Sequence, residues 1–278
     1  MPEGDTIFRA ARRMNQALAG REVTAFQSVL PQLTRVDDDQ SISGRTIESV
    51  TAAGKHLLVA FSGDLFLRTH MRMNGSWHLY RPGEKWRRRP SDMRIVVTTA
   101  AFLAVGFGIP VAEFLDRKQM ERQPDLQKLG PDFLSQEFDL EAAVVRLRSR
   151  SNMEIADALL NQRVVGGIGN VYKSEVLFSC GINPFTLVKE LSEEALRCLA
   201  QQGQRLMRLN VPLDDQQIPG GGLRWTTGRL NPRERLWVYG RSNDPCRKCG
   251  TAIKYRKQGL DARGTYWCPS CQGLGTGG

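Results

Sequence analysis

At 278 residues the chain is long enough for one large or two ordinary domains, each burying a core without staples, so a disulfide-dependent miniprotein is excluded. Thirty-nine lysines and arginines against 29 acids give a formal charge of +10, which favours an acidic partner such as nucleic acid over a neutral one. The excess is local, because residues 224–263 hold eleven basic side chains and three acids.

The first residues carry Glu3 and Asp5 and meet arginines before any apolar segment forms. No secretory signal is read there, and a cytoplasmic, reducing location is expected. Ile7, Ala10, Ala11, Met14 and Leu18 then recur at helical spacing, predicting one amphipathic helix over 6–19 with Gly20 as its C-cap. From Val23 to about Asp116 the pattern changes to short apolar runs, at 46–50, 56–61, 65–68, 77–80 and 94–98, separated by turn residues. That alternation predicts a β-sandwich or barrel. The uncharged stretch Ile95–Ala112 approaches the length of a membrane span, but Thr98, Thr99, Gly106, Gly108 and Pro110 interrupt it. Two buried strands joined by a short turn are expected there, and no membrane association.

Residues 121–131 are polar and broken by Pro124 and Gly130-Pro131, as a hinge would be, dividing a domain at 1–120 from a helical one at 132–236. In the latter, Ser151 and Glu154 are spaced as a capping box for a helix ending near Arg163. Gly166-Gly167-Ile168-Gly169-Asn170 forms a turn, and Val171–Phe178 resume as a helix closed near Gly181. Ser192 caps one more helix, to about Leu209, before the Pro219–Gly222 loop. The glycine cluster lacks the features of a nucleotide-binding loop; presenting backbone amides and Asn170 to a DNA phosphate suits it better.

Cys246-x2-Cys249 and Cys268-x2-Cys271 make two thiolate pairs able to complete a tetrahedral shell for one structural Zn2+, within a ribbon at 237–272 followed by a disordered tail at 273–278. Paired disulfides or a redox motif are the alternatives, disfavoured by a reducing compartment. Four cysteines leave no open coordination position, so the metal would hold a fold and do no chemistry. Cys180 and Cys198 lie among apolar helical residues and are expected to be plain core. Ile253–Lys257 and Thr265–Trp267 predict two short strands with Arg263 near their tip, a basic hairpin fit for a DNA groove or simply a solvated surface. The expected fold class is therefore α+β: an N-terminal β-sandwich with flanking helices, then a helical domain with a helix-two-turns-helix motif and a four-cysteine zinc ribbon.

Taken in order, Pro2-Glu3-Gly4-Asp5-Thr6, Gly54-Lys55-His56-Leu57-Leu58, His70-Met71-Arg72-Met73-Asn74-Gly75, Gly167–Glu175 and the cysteine ribbon resemble the formamidopyrimidine-DNA glycosylase/endonuclease VIII family over nearly the whole chain. The endonuclease VIII branch is the better likeness, because the Asp-Pro-Arg-Arg-Phe-Gly segment of the purine-type branch is replaced here by Gly106-Phe107-Gly108-Ile109-Pro110-Val111, and the loop between Thr226 and Val238 is short. The resemblance implies a bacterial base excision repair enzyme, a DNA glycosylase and abasic-site lyase working by β,δ-elimination. It would act as a monomer on damaged double-stranded DNA, nucleoid-associated when bound.

In that likeness the mature chain starts at Pro2, whose secondary amine attacks C1′ of the damaged nucleoside. An α-amine with a pKa of about 7.7–8.0 is roughly 10–20% neutral at pH 7, against about 0.04% for lysine, so the chain terminus is the better free base. Glu3 would protonate the opening sugar ring. Lys55 is implied in phosphate positioning and β-elimination, and Arg263 in phosphate binding and δ-elimination. His70, Arg72, Met73 and Asn74 form a loop suited to filling the gap left when the nucleotide is flipped out. Oxidised pyrimidines are the expected substrates; oxidised purines, or a zinc-ribbon protein that binds DNA without catalysis, are the alternatives.

Overall fold

Ile7, Ala11, Met14 and Leu18 occupy one stripe of a helix, α1 (Gly4–Leu18), and all four are buried. Each larger member removes enough apolar surface from water to contribute roughly 1.5–3 kcal/mol. The helix stops where sequence predicts it, with Gly20 just beyond at φ 77°. In the computed structural model, residues 2–211, 223–229 and 231–273 are described, and the chain divides into two compact units, 1–128 and 129–278. The Pro219–Gly222 loop and the tail from 274 lie outside the described residues.

The first unit continues as β1 (Val23–Ser28), α2 (Pro31–Asp39), β2 (Ile47–Ala53), β3 (His56–Phe61), β4 (Leu65–His70), β5 (Ser76–Tyr80), β6 (Met93–Thr99), β7 (Leu103–Phe107) and β8 (Val111–Asp116). They form two four-stranded antiparallel sheets, β1-β6-β7-β5 and β2-β3-β4-β8. Alternation with period two puts Ile95 and Val97 of β6 in the same core as Leu57 and Val59 of β3, while Val96 turns to a second cluster with Tyr80, Val105 and Phe107. The sandwich is thus as expected, with one difference. The stretch 95–112 holds parts of three strands, because the link 108–110 carries the chain from one sheet to the other. Gly108 adopts φ 57° at that crossing and donates its N–H to the Asp92 carbonyl at 2.7 Å. Two short helices, α3 (Arg117–Arg122) and α4 (Pro124–Gln127), close the unit.

The second unit contains α5 (Leu140–Arg148), α6 (Ile155–Leu160), α7 (Asn170–Ser179), α8 (Glu193–Arg208) and the antiparallel pair β9 (Lys254–Gln258) and β10 (Arg263–Trp267). Ser192 caps α8 as predicted, its Oγ accepting from Ala195 N–H at 3.2 Å. The capping box does not form. Glu154, not Ser151, is the N-cap of α6, and its carboxylate accepts instead from Gln258 Nε2 at 2.6 Å. That helix also ends three residues early, since Asn161 turns the chain: its Oδ1 accepts from Arg163 N–H and its carbonyl from Val164 N–H.

Between α6 and α7, Gln162 holds the glycine turn by accepting from Gly167 N–H and donating to Ile168 O, both at 3.0 Å. Gly130 is required beside it, because a Cβ there would lie 2.3 Å from Val164 O. No helix among the described residues is long and apolar enough to cross a membrane.

Cys180 and Cys198 are not plain core residues. They form a disulfide with a Cα–Cα distance of 6.1 Å, tying the C-cap of α7 to the middle of α8. Each cysteine reads as apolar filler in its own helix, and only the packing of the two helices brings the thiols together. Thiol titration of the denatured, metal-stripped, unreduced protein is expected to count four cysteines. A count of six would mean that the bridge is not formed in the isolated protein.

Candidate functional site

Glu3 is the N-cap of α1, in extended conformation at φ −124° and ψ −179°, and its carbonyl accepts from Thr6 and Ile7 N–H at 2.9 and 3.1 Å. The residue has no exposed surface, whereas Pro2 beside it is half-buried. α1 lies against β2 and β3, and the two-residue turn joining those strands carries Lys55. Gly54, first in that turn, takes φ 57°, the left-handed geometry a tight hairpin demands.

Immediately past Lys55 a basic cluster begins. His56 pairs across the ladder with His70, their rings edge-on at 4.9 Å. The buried Arg68 donates to His56 Nδ1 at 3.2 Å, to Glu113 Oε1 at 2.6 Å and to Asp125 at 3.4 Å, and Gln123 also binds Glu113. His70 Nδ1 accepts from Arg72 N–H at 3.0 Å. With Nδ1 accepting in both rings, each neutral imidazole carries its proton on Nε2. Burial pushes His56 from the ordinary 6.5 down to about 3, helped by His70 and Arg68. His70 is lowered to about 4, again by burial first and then by Arg72 and Lys55.

The segment after His70 crosses between sheets. Met71 is buried, Arg72 adopts φ 49°, and Met73 stands 55% exposed at the turn. A Cβ at Gly75 would meet Met71 O at 2.5 Å, so the turn requires glycine there. Arg88 braces it from the following loop, donating to Asn74 O at 2.9 Å and Ser76 Oγ at 3.1 Å.

In the second unit Asn170 opens α7 and donates through Nδ2 to Gly264 O at 2.8 Å, which ties the helix start to the strand bearing Arg263. Arg263 pairs across the ribbon with Gln258 and lies 3.6 Å from Asp261. The sulfurs of Cys246, Cys249, Cys268 and Cys271 all fall within 4.8 Å of one another, with Sγ–Sγ distances of 3.9, 3.5 and 3.5 Å for 246–271, 249–268 and 249–271. A tetrahedron with metal–sulfur bonds of about 2.3 Å has edges of about 3.8 Å, so this cage fits one four-thiolate ion. None of these four is disulfide-bonded.

Two family models match the chain: the formamidopyrimidine-DNA glycosylase N-terminal domain at residues 1–109, and the formamidopyrimidine-DNA glycosylase H2TH domain at residues 129–219. A Streptomyces coelicolor protein named probable endonuclease 8 2 is 40% identical over 275 residues, covering 98% of this chain and 94% of its own length. The chain belongs to the formamidopyrimidine-DNA glycosylase/endonuclease VIII family. Within it, the Mycolicibacterium smegmatis DNA-(apurinic or apyrimidinic site) lyase Nei2 is 35% identical, with 98% and 99% of the two chains covered. The fold matches that of a Lactococcus lactis formamidopyrimidine-DNA glycosylase, solved non-covalently bound to DNA containing an abasic site, with a TM-score of 0.80, 24% identity and 97% and 99% coverage.

Sequence reasoning gave no role to His56, Lys173 and Glu175, although they lie inside the family motifs, and missed Arg68, Arg88 and Gln258 altogether. A run such as Leu67-Arg68-Thr69, with a charge inside a strand of otherwise buried residues, is the kind of signal that marks a satisfied interior ion.

Because the folded protein holds His56 neutral down to about pH 3, only the unfolded chain takes up a proton there between pH 6.5 and 3. The stabilisation is complete above pH 6.5 and falls as the pH drops, by roughly 2 kcal/mol at pH 5 for this one group. His56→Gln, which keeps an acceptor for Arg68, should flatten the decline in melting temperature between pH 7.5 and 5. Parallel declines in variant and parent would refute the assignment.

Proposed function

We propose that this DNA glycosylase and abasic-site lyase of base excision repair removes oxidised pyrimidines from double-stranded DNA, with Pro2 as nucleophile. The observation that carries the reading is the placement of a fully buried glutamate, Glu3, as the N-cap of α1 directly behind Pro2, in a chain of this family. Fixed backbone at Glu3 holds both the amine and the acid in register.

In the proposed reaction the Pro2 lone pair bonds to C1′ as the base leaves with the electrons of the glycosidic bond, and the proton shed by the amine is taken up by the departing base. Glu3 gives a proton to the ring oxygen, the C1′–O bond breaks, and an iminium remains. That cation acidifies the C2′ hydrogen, whose loss expels the 3′ phosphate; a second elimination expels the 5′ phosphate. Lys55, on its tight turn, is assigned to phosphate positioning and the first elimination, and Arg263 to phosphate binding and the second. Asn170, whose amide has a second N–H beyond the one given to Gly264, and His70 are assigned to the DNA backbone. The exposed Met73, flanked by Arg72 and Asn74, is assigned to the space left by the flipped nucleotide.

Cys246, Cys249, Cys268 and Cys271 would hold one Zn2+, which when bound supplies a closed structural site and no reactive position. The protein is proposed to act as a cytoplasmic monomer. Preference for pyrimidines is supported by the 106–110 turn. Phe107 and Ile109 there are fully buried and no charged side chain projects, in place of the arginine-bearing segment of the purine-type branch.

Borohydride reduction with abasic DNA should trap a covalent adduct that maps to residue 2; an adduct on another side chain would overturn the mechanism. Glu3→Gln should slow base removal by about 100-fold or more, yet cleave ready-made abasic sites far less impaired, because that sugar already opens to an aldehyde. Equal loss on both substrates would remove Glu3 from the ring-opening step. Metal analysis should find one zinc per chain, and Cys249→Ser should lose it along with DNA binding while Pro2 remains unmodified. Zinc-free protein of full activity would sink the ribbon assignment.

A further inference from the structure

Lys173 has no exposed surface, although an ammonium group moved out of water costs several kcal/mol unless its hydrogens are all engaged. A methionine of similar length would fill the same space without that cost, so the charge answers some other requirement. Its position suggests which one. Lys173 stands one turn after Asn170 on α7, and both side chains reach the same carbonyl: Asn170 Nδ2 lies 2.8 Å and Lys173 Nζ 3.3 Å from Gly264 O. Gly264 is the residue after Arg263.

Lys173 Nζ also donates to Thr265 Oγ1 at 2.8 Å, and that hydroxyl donates onward to Gln258 Oε1 at 2.7 Å. Gln258 Nε2 in turn donates to Glu154 Oε2 at 2.6 Å and Pro184 O at 3.1 Å. Gln258 is the cross-strand partner of Arg263. Arg263 is therefore bracketed, its own strand held by α7 and its facing residue held by the start of α6. A carboxylate also lies close enough to feel the ammonium. Asp157, raised above the ordinary carboxyl range by burial and by Glu154, is pulled the other way by Lys173, and its Oδ1 sits only 2.6 Å from where a Cβ on Gly259 would stand. Gly259 begins the tip of the hairpin, with φ 69°.

We propose that Lys173 is a positioning residue for Arg263: its buried ammonium, acting through Gly264 O and the Thr265–Gln258 pair, fixes where the guanidinium meets the DNA and so governs the second elimination. This inference rests on the role given to Arg263 above. It predicts that the step assigned to Arg263 suffers first, because a displacement of about 1 Å at a reacting group can cost about 100-fold.

The test compares the parent with Lys173→Met, Lys173→Arg and Thr265→Val, under single-turnover conditions on abasic duplex, with excess enzyme and zinc content measured for each. Two readouts are taken from one reaction: the borohydride-trapped fraction, and the ratio of δ- to β-elimination product. Lys173→Met and Thr265→Val should keep their zinc and trap the sugar within about threefold of the parent, while the δ:β ratio falls by about tenfold or more. Lys173→Arg should restore most of that ratio. An unchanged ratio in zinc-replete Lys173→Met overturns the inference, and so does trapping that falls in step with the ratio, which would mark a merely structural lysine. Should Lys173→Met fail to fold, Thr265→Val decides alone, since it removes one hydroxyl without changing shape. A parent enzyme that traps no sugar at all would instead refute the proposed function itself.

Discussion

The carboxylate of Glu175, with no exposed surface, accepts hydrogen bonds from the Thr226 hydroxyl and from the backbone N–H groups of Trp237, Val238 and Tyr239. Those three amides lead directly into the cysteine ribbon. Two residues earlier on the same helix, Lys173 holds the other end of the ribbon at Gly264 and Thr265. α7 thus has no solvent face over Asn170–Phe178, and Asn170, Lys173 and Glu175 all bond into the segment that bears the cysteine cage and Arg263. Breaking one such buried ion arrangement by removing a partner typically costs about 3–5 kcal/mol. The glycine turn before α7, the Cys180–Cys198 bridge after it and the cluster of Phe178 with Val238, Ile253, Cys246 and Cys268 all serve to keep this helix and the ribbon in one register.

The first unit meets a comparable demand in a different way. One group of its charges sits at one end of β3 and β4, where Arg68 spans an imidazole and two carboxylates on separate elements. Desolvation lowers both imidazoles far enough to leave them uncharged at neutral pH, where the positive field there comes from Lys55, Arg68 and Arg72. Neutral rings with Nδ1 occupied are rigid donors, which suits contact with an acidic backbone without adding repulsion to the neighbouring cations.

Much of this was legible in the chain itself. The α1 stripe, the period-two runs of the sandwich, the paired cysteines and the glycine turn each follow from a local rule that tertiary structure did not override. What escaped notice shares a single cause. Glu154 was spaced as a capping residue, but its carboxylate is claimed by Gln258, more than a hundred residues away. Cys180 and Cys198 each look like core filler until two helices are laid side by side. Lys173 sits in a helix whose neighbours give no hint that a cation belongs inside, because its acceptors come from the ribbon. The stretch 95–112 reads as two strands because hydrophobicity does not reveal that Gly108 carries the chain from one sheet to another. Local pattern locates elements; it does not report which distant group will satisfy a buried donor or acceptor.

The burial of Glu3 has a practical corollary. Successive Cα atoms are separated by 3.80 Å, so a single peptide unit connects the anchored start of α1 to Pro2, and the nitrogen proposed above as the nucleophile has almost no tether. Under the mechanism proposed above, recombinant material bearing even one residue ahead of Pro2 would present an amide where that mechanism needs an amine, and the added length could not be absorbed by slack. For any test of the proposed nucleophile, fusions belong at the opposite end of the chain.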